Sequence, residues 1–272
     1  MNETMLNPLL APPMSRPARQ SKGGDASRAS IENSLLAALP CKDYQRLLAG
    51  LEPVTLTFGE VLYESGEKIR HVYFPGNALV SLLTLADGHL ALEVGLIGRE
   101  GMVGIPLVLG DKVSTVRALV QGTGTAMRMD AAHFRKEFRL SLPLQRELYR
   151  YTHSLMSQVS QTAACNRFHV VEMRLARWLL MTHDRVKSDE FHMTHEFLGH
   201  MLGVRRVGVT KAAQALQKLK LISYSRGDIT ILDRAGLEAA ACRCYAVVRN
   251  MHDGAQIAAG HAMRTMAAPA GA

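Results

Sequence analysis

At 272 residues the chain is long enough for two domains with cores of their own, and an apolar share of 47% excludes a disordered polymer. The net charge of +8 excludes an acidic protein and favours a polyanionic partner. No apolar run reaches the roughly 18 residues a membrane span needs, and the N-terminus lacks the charged start and apolar run of a secretory leader, so a cytoplasmic location and no membrane partner are expected.

Residues 1–30 hold four prolines with Ser, Gly and Arg and little periodicity, and read as a flexible tail. Ile31 to Leu51 reads as one or two short helices. From Pro53 the apolar period changes from helical to two: Val54, Leu56 and Phe58 alternate with Thr55 and Thr57. Val61–Tyr63 and His71–Phe74 are further strands. Leu79–Leu85 and His89–Ile97 are joined by Asp87-Gly88, the strongest short hairpin signal. Gly98–Gly110 reads as a loop with a short helix, and Val116–Val120 and Thr125–Met129 close the series. Seven or eight short strands with regular turns predict a small antiparallel barrel or jelly roll over residues 31–130.

After Asp130, a good N-cap, the helical period returns. Ala131–Phe138 is one helix. A second starts at Ser141-Leu142-Pro143, and its Leu144, Leu148, Tyr151, Leu155, Val159 and Thr162 follow at steps of 4, 3, 4, 4 and 3. Such a stripe suits a coiled-coil contact between two chains, or packing against the chain's own barrel. We read residues 131–165 as a dimerisation helix, with Leu144, Leu148, Tyr151, Leu155 and Val159 at the interface, because symmetric dimers are the commonest oligomers.

Phe168–His183 is the next helix, with Val171, Leu175, Trp178 and Leu179 on its buried face and Arg174, Arg177 and Arg185 projecting from the rest. Thr194–Leu221 then reads as two short helices around a tight turn. Thr194 is the N-cap. Phe197, Leu198, Met201 and Leu202 form the first apolar stripe, and Gly203 ends the helix. The second helix is expected to bury Val207, Ala212, Ala215, Leu216 and Leu219. It carries Arg206, Gly208, Thr210 and Lys211 in its early turns. This is the layout of a helix-turn-helix DNA reader. The basic surplus sits here: Arg167 to Arg226 holds eleven Lys/Arg against five Asp/Glu, a surplus of six. Leu221–Tyr224 and Ile229–Leu232 alternate like strands around Ser225-Arg226-Gly227-Asp228, a wing with Arg226 at its tip. Arg234–Val248 is expected to be the final helix, and residues 246–272 a second flexible tail.

A barrel, a long helix and a winged helix-turn-helix, in that order, resemble the transcription regulators of the cAMP receptor protein/FNR (Crp/Fnr) superfamily. The firmest stretches are Met173–Leu179 before the reader, Gly203-Val204-Arg205-Arg206 at its turn and Gly227–Ile231 in its wing. Phe58-Gly59-Glu60 resembles the family's early barrel turn. The resemblance implies an α+β chain: a cyclic-nucleotide-binding-like sensor barrel (31–130), the dimerisation helix (131–165) and a winged helix-turn-helix DNA-binding domain (166–245). It implies a homodimer on double-stranded DNA with an inverted-repeat site, and RNA polymerase as a further partner. Carried over residue by residue, the base-contacting positions fall on Arg206, Val207 and Lys211. Arginine and lysine can serve guanine acceptors, but valine stands where the best-known members have glutamate. Arg205, Gly208, Thr210, Gln214 and Arg226 complete the candidate DNA surface.

The sensor departs further from the family. The nearest material to its nucleotide pocket is Gly98-Arg99-Glu100-Gly101 and Arg117-Ala118, so Glu100 and Arg117 are the candidate effector residues. Their spacing is stretched and no hydroxyl residue follows Arg117, so a cyclic nucleotide is not expected. An iron–sulfur cluster of the family's FNR branch needs several thiolates in the N-terminal half, and only Cys41 and Cys165 precede the reader. His71 or His89 could ligate a haem, though each reads as a surface histidine. Cys242 and Cys244 make no pair of zinc spacing, so the four cysteines read as free thiols and no metal site is predicted. His195 and His200 lie five positions apart, about 140° around a helix, which does not suit a zinc-protease pair, and no catalytic residue is assigned. The alternative to a signal-controlled regulator is a ligand-independent DNA-binding or scaffold protein with a degenerate sensor.

Overall fold

The computed structural model describes residues 32–86, 90–186 and 188–251. The N-terminal tail, most of the C-terminal tail, the Asp87-Gly88 turn and His89 lie outside them. Two short helices open the described chain, α1 (Ser34–Ala37) and α2 (Cys41–Leu48). Asn33 fastens them to the strands that follow. Its Oδ1 accepts from the Leu36 amide at 3.1 Å, and its Nδ2 donates to the carbonyls of Pro75 and Gly101 at 2.9 Å each.

Seven strands follow: β1 (Glu52–Leu56), β2 (Val61–Tyr63), β3 (His71–Pro75), β4 (Leu79–Ala86), β5 (Leu90–Ile97), β6 (Arg117–Gly122) and β7 (Gly124–Asp130). They form two antiparallel sheets, in the orders β1-β7-β3 and β2-β6-β4-β5. The near-continuous apolar run of β4 has a physical reason. Successive side chains of a strand point to opposite faces, and both faces of β4 are covered. Val80 and Leu82 enter the core between the sheets. Leu79 and Leu83 enter a second core shared with the C-terminal domain.

Asp130 caps α3 (Ala131–Leu140), accepting from two amides, and Ser141 caps α4 (Leu142–Phe168), with Pro143 in its first turn. Here the structure corrects the expected dimer contact. Leu144 and Leu148 are fully buried, Tyr151 and Leu155 nearly so, all in the core of the same chain. From Leu144 to Leu155 the heptad stripe packs in cis, and Val159 beyond it is half-buried. Among the large apolar side chains that α4 leaves exposed, Leu142, Tyr149 and Met156 fall at seven-residue intervals, and Phe168 stands exposed at its end.

After a break at His169-Val170 come α5 (Val171–Val186), β8 (Glu190–His192), α6 (His195–Leu202), α7 (Arg206–Lys218), β9 (Ile222–Ser225), β10 (Asp228–Ile231) and α8 (Arg234–Ala240). Strand β8 pairs with β10 and makes the wing three-stranded, in the order β8-β10-β9. The expected single helix 234–248 is interrupted. Ala241 is extended, a helix restarts at 244, and it continues past 246 because Tyr245 and Val248 are buried in the second core. Cys165, Cys242 and Cys244 form a third, small cluster with Met173 against it. No described helix is long and apolar enough to cross a membrane.

Candidate nucleic-acid interface

The reader is assembled by local chemistry visible in its sequence. The Thr194 hydroxyl accepts from the Phe197 amide at 3.2 Å and starts α6. Gly203 ends it in the left-handed region at φ +60°, where a side chain is strained. A Cβ on Gly199 would come within 2.9 Å of the Val204 carbonyl, so this glycine lets the turn close against its own helix. α7 starts at Arg206 with no side-chain cap; the Gly208 amide donates to the Arg205 carbonyl at 2.8 Å, and the helix N-terminus offers its positive end to a phosphate.

Starting α7 at Arg206 sets which residues face inward. Val209, Ala212, Ala213 and Leu216, at steps of 3, 1 and 3, are buried. Val207 and Leu219, expected inside, are 60% and 65% exposed, and Val209 takes the inner place. The outward face carries Arg206, Val207, Lys211 and Gln214, all exposed, with exposed Arg205 just before the helix. Gly208 and Thr210 are half-buried. Thr210 is committed inside the domain: its hydroxyl lies 3.1 Å from the Arg206 carbonyl and 3.0 Å from His195 Nδ1. His195 stacks on Tyr224 with ring centroids 4.2 Å apart, and the Tyr224 hydroxyl donates to the Met193 carbonyl at 2.9 Å. Burial, with Arg206 nearby, holds the His195 imidazole below its ordinary pKa. These contacts give His195 a packing role that joins α6, α7 and the wing.

The wing turn places Arg226 at φ 52° and Gly227 at φ 97° between the paired residues Ser225 and Asp228. Two consecutive positive φ values make this a tight hairpin turn of the primed type. A Cβ on Gly227 would come within 2.6 Å of the His192 ring, whose Nδ1 pairs with Asp228 at 2.7 Å. Arg226 stands exposed at the tip.

The opposite face of the domain corrects a second expectation. Arg174, Arg177 and Arg185 do not project into solvent: they are 8%, 7% and 9% exposed. Arg174 donates to the Leu202 carbonyl at the end of α6, and Arg177 to the Thr162 hydroxyl of α4 at 2.9 Å. Arg185 pairs with Glu100 at 2.8 Å and donates to the Met181 carbonyl. Beside them Glu93 of β5 is buried, accepting from Ser81 at 2.7 Å and from the Trp178 indole at 3.0 Å. Burial pushes its carboxyl up to about 7, against those two hydrogen bonds and the charges of Arg177 and Arg185. A cavity of ≈ 20 Å³, about one water in size, lies among Glu93, Gln158, Thr162, Arg174, Arg177 and Trp178. Apolar contacts complete the junction. Phe58 meets Phe197 at 5.5 Å between centroids, and the Leu92 side chain abuts Gly203, so the N-terminal strand domain touches the helix-turn-helix at its first helix and at its turn.

The candidate effector residues are each engaged in an ion pair. Glu100 is held by Arg185, and Arg117 pairs with Glu64 at 2.7 Å. The side chain of Tyr151 fills the space over Gly101, where a Cβ would lie 2.2 Å from its ring. One cluster escaped sequence reasoning altogether: Cys165 and His169 meet Cys242 and Cys244, more than 70 residues further along.

Comparison with known proteins agrees with this geometry. The Crp-like helix-turn-helix domain family matches residues 173–240. A transcriptional regulator of the Crp/Fnr family from Eubacterium rectale superposes with a TM-score of 0.62 at 18% identity, covering 78% of this chain and 99% of that one. FixK2 from Bradyrhizobium japonicum gives 0.61 at 14% identity, covering 71% and 98%. The c-di-GMP responsive global regulator CLP from Xanthomonas campestris gives 0.59 at 15%, covering 71% and 99%. No curated protein matches the sequence. Residues 173–240 match the Crp-like helix-turn-helix domain, and the chain as a whole shares its fold with solved transcription regulators of the Crp/Fnr family.

Proposed function

We propose that the protein is a cytoplasmic, sequence-specific transcription regulator that binds an inverted-repeat DNA site as a homodimer. The observation that carries this reading is the outward face of α7. Arg206, Val207, Lys211 and Gln214 stand exposed on one side of a helix whose other side is buried, and Arg226 stands exposed at the tip of the wing. A side chain with two parallel donors at Arg206 suits a guanine edge in the major groove, Lys211 adds a point charge, and Val207 can only meet a thymine methyl. Arg205 and Arg226 are placed for phosphates, which set register and affinity but not sequence.

The dimer in this reading uses the exposed side of α4. Leu142, Tyr149, Met156 and Ala163 recur at seven-residue intervals and are all exposed, which suits a seam between two copies. The sensor acts on the reader through the contacts of Leu92 with Gly203 and of Phe58 with Phe197, and through the hydrogen-bonded Ser81–Glu93–Trp178 line. A signal that shifts β5 changes which orientation of the readers is populated. The ion pairs that occupy Glu100 and Arg117 argue against a cyclic nucleotide as that signal.

The test is selection of duplexes from a random library by the full chain, with its mass in solution measured alongside. The reading expects a dimer and enrichment of a two-fold symmetric sequence with half-sites about one helical turn apart. A monomer, or duplexes retained without a common sequence, would overturn it.

A further inference from the structure

We propose that Cys165, His169, Cys242 and Cys244 form a mononuclear site for a soft divalent cation of the Zn2+ class, which ties the end of α4 to the far end of the DNA-binding domain. Cys165 lies in the last turn of α4 and His169 caps that helix. Cys242 sits in the break after α8, and Cys244 starts the helix that follows. The three cysteines are buried and His169 is half-buried. All four ligand atoms lie within 4.8 Å of one another.

The shape of the group favours one metal ion. Zinc–sulfur bonds of roughly 2.3 Å and zinc–nitrogen bonds of roughly 2.0 Å give a tetrahedron with edges of about 3.5–3.8 Å. The Cys165 and Cys242 sulfurs are 3.5 Å apart, and the Cys244 sulfur is 3.7 Å from His169 Nδ1. Three cysteines and a histidine are one of the common structural zinc sets. A multi-iron cluster puts its thiolates on different irons and needs them further apart.

The surroundings suit the charge. Three thiolates, a neutral imidazole and a divalent cation sum to −1. The positive charge of Arg177 acts on Cys165 and Cys244. Met173 packs against the cluster and keeps it apolar on one side. The break at 241–243 also acquires a reason: an unbroken helix through 234–248 would place Cys242 and Cys244 200° apart, on different faces. Because the ligands come from either end of the segment 170–241, the ion closes the whole DNA-binding domain onto α4. This inference stands independently of the DNA reading.

The experiment uses tag-free, full-length protein purified under reducing conditions, with metal content measured by mass spectrometry and Co2+ as a spectroscopic substitute. The expected result is one Zn2+ per chain through gel filtration and, after exchange, the visible absorption of tetrahedral thiolate-bound Co2+. Cys242→Ser and Cys244→Ser should each weaken Zn2+ binding by more than about 100-fold, beyond the roughly 10–100-fold cost of losing an outer-shell partner. Cys41→Ser, at the exposed cysteine, should leave it unchanged. Reduced wild-type protein that takes up neither Zn2+ nor Co2+ stoichiometrically would overturn the proposal, whatever the folding of the variants. So would a Cys165–Cys242 disulfide that persists through reduction, or binding lost in Cys41→Ser and kept in Cys242→Ser.

Discussion

The two faces of the DNA-binding domain use the same residue type for opposite ends. On the outer face Arg205, Arg206 and Arg226 are exposed. On the inner face Arg174, Arg177 and Arg185 are buried, and each donates to a named acceptor on α4, on α6 or on the sensor side of the chain. The surplus of positive charge in this part of the sequence is therefore a mixture. Some of it is a field for phosphates, and some is internal framework that no polyanion reaches. A count of arginines measures the sum, and only burial and partners divide it.

The largest expected effect lies on the inner face. Arg185→Ala leaves the Glu100 carboxylate, 12% exposed, without this partner. Breaking a buried pair on one side costs about 3–5 kcal/mol, and urea unfolding should show a loss of that size. If the loss were no more than that of a surface substitution, the inner face would not be the framework described. On the outer face Arg206→Ala should leave the unfolding midpoint in place and instead reduce discrimination at one base pair by about 1–3 kcal/mol, read from competition between the selected duplex and its single-base variants.

Glu93 sharpens the same contrast through pH. Its carboxyl is raised by burial from 4.5 to about 7. Between those values the folded chain holds a proton that the unfolded chain has released. The contribution of this group to stability is fully present below pH 4.5 and is lost as pH rises through 7. Glu93→Gln should flatten that part of the profile, by about 3 kcal/mol at most, in unfolding measured from pH 5 to 8. A profile identical to wild type would mean that the carboxyl is not buried at the junction. The smallest effect belongs to Arg226→Ala, which should weaken all duplexes alike and lower the salt slope of binding by about one.

The capping chemistry of the reader was readable from sequence because it is local. Thr194, Gly203 and the Arg226-Gly227 turn each act within a few residues. The strands of the N-terminal domain were legible for the same reason, through their period of two. What could not be read depends on distant partners. The stripe from Leu144 to Leu155 has one period whether it meets its own barrel or a second chain, and only the fold shows that it packs in cis. Arg174, Arg177 and Arg185 fall on helix positions that look solvated until Leu202, Thr162 and Glu100 arrive from elsewhere. The cysteine–histidine cluster obeys no linear spacing rule, since a helix end supplies one half and a helix break the other. The partners of the candidate effector residues were equally out of reach: residue types in the right order say nothing about which partner each one takes, and Arg117 takes Glu64.

The most direct test of the division between the two faces is fluorescence anisotropy with the selected duplex and a scrambled one, for wild type, Arg206→Ala and Arg226→Ala at fixed salt. The account predicts that Arg206→Ala lowers the ratio of the two affinities by about 10-fold or more, while Arg226→Ala lowers both affinities and leaves the ratio unchanged. A ratio that stays the same in Arg206→Ala would show that the outward face of α7 does not read DNA.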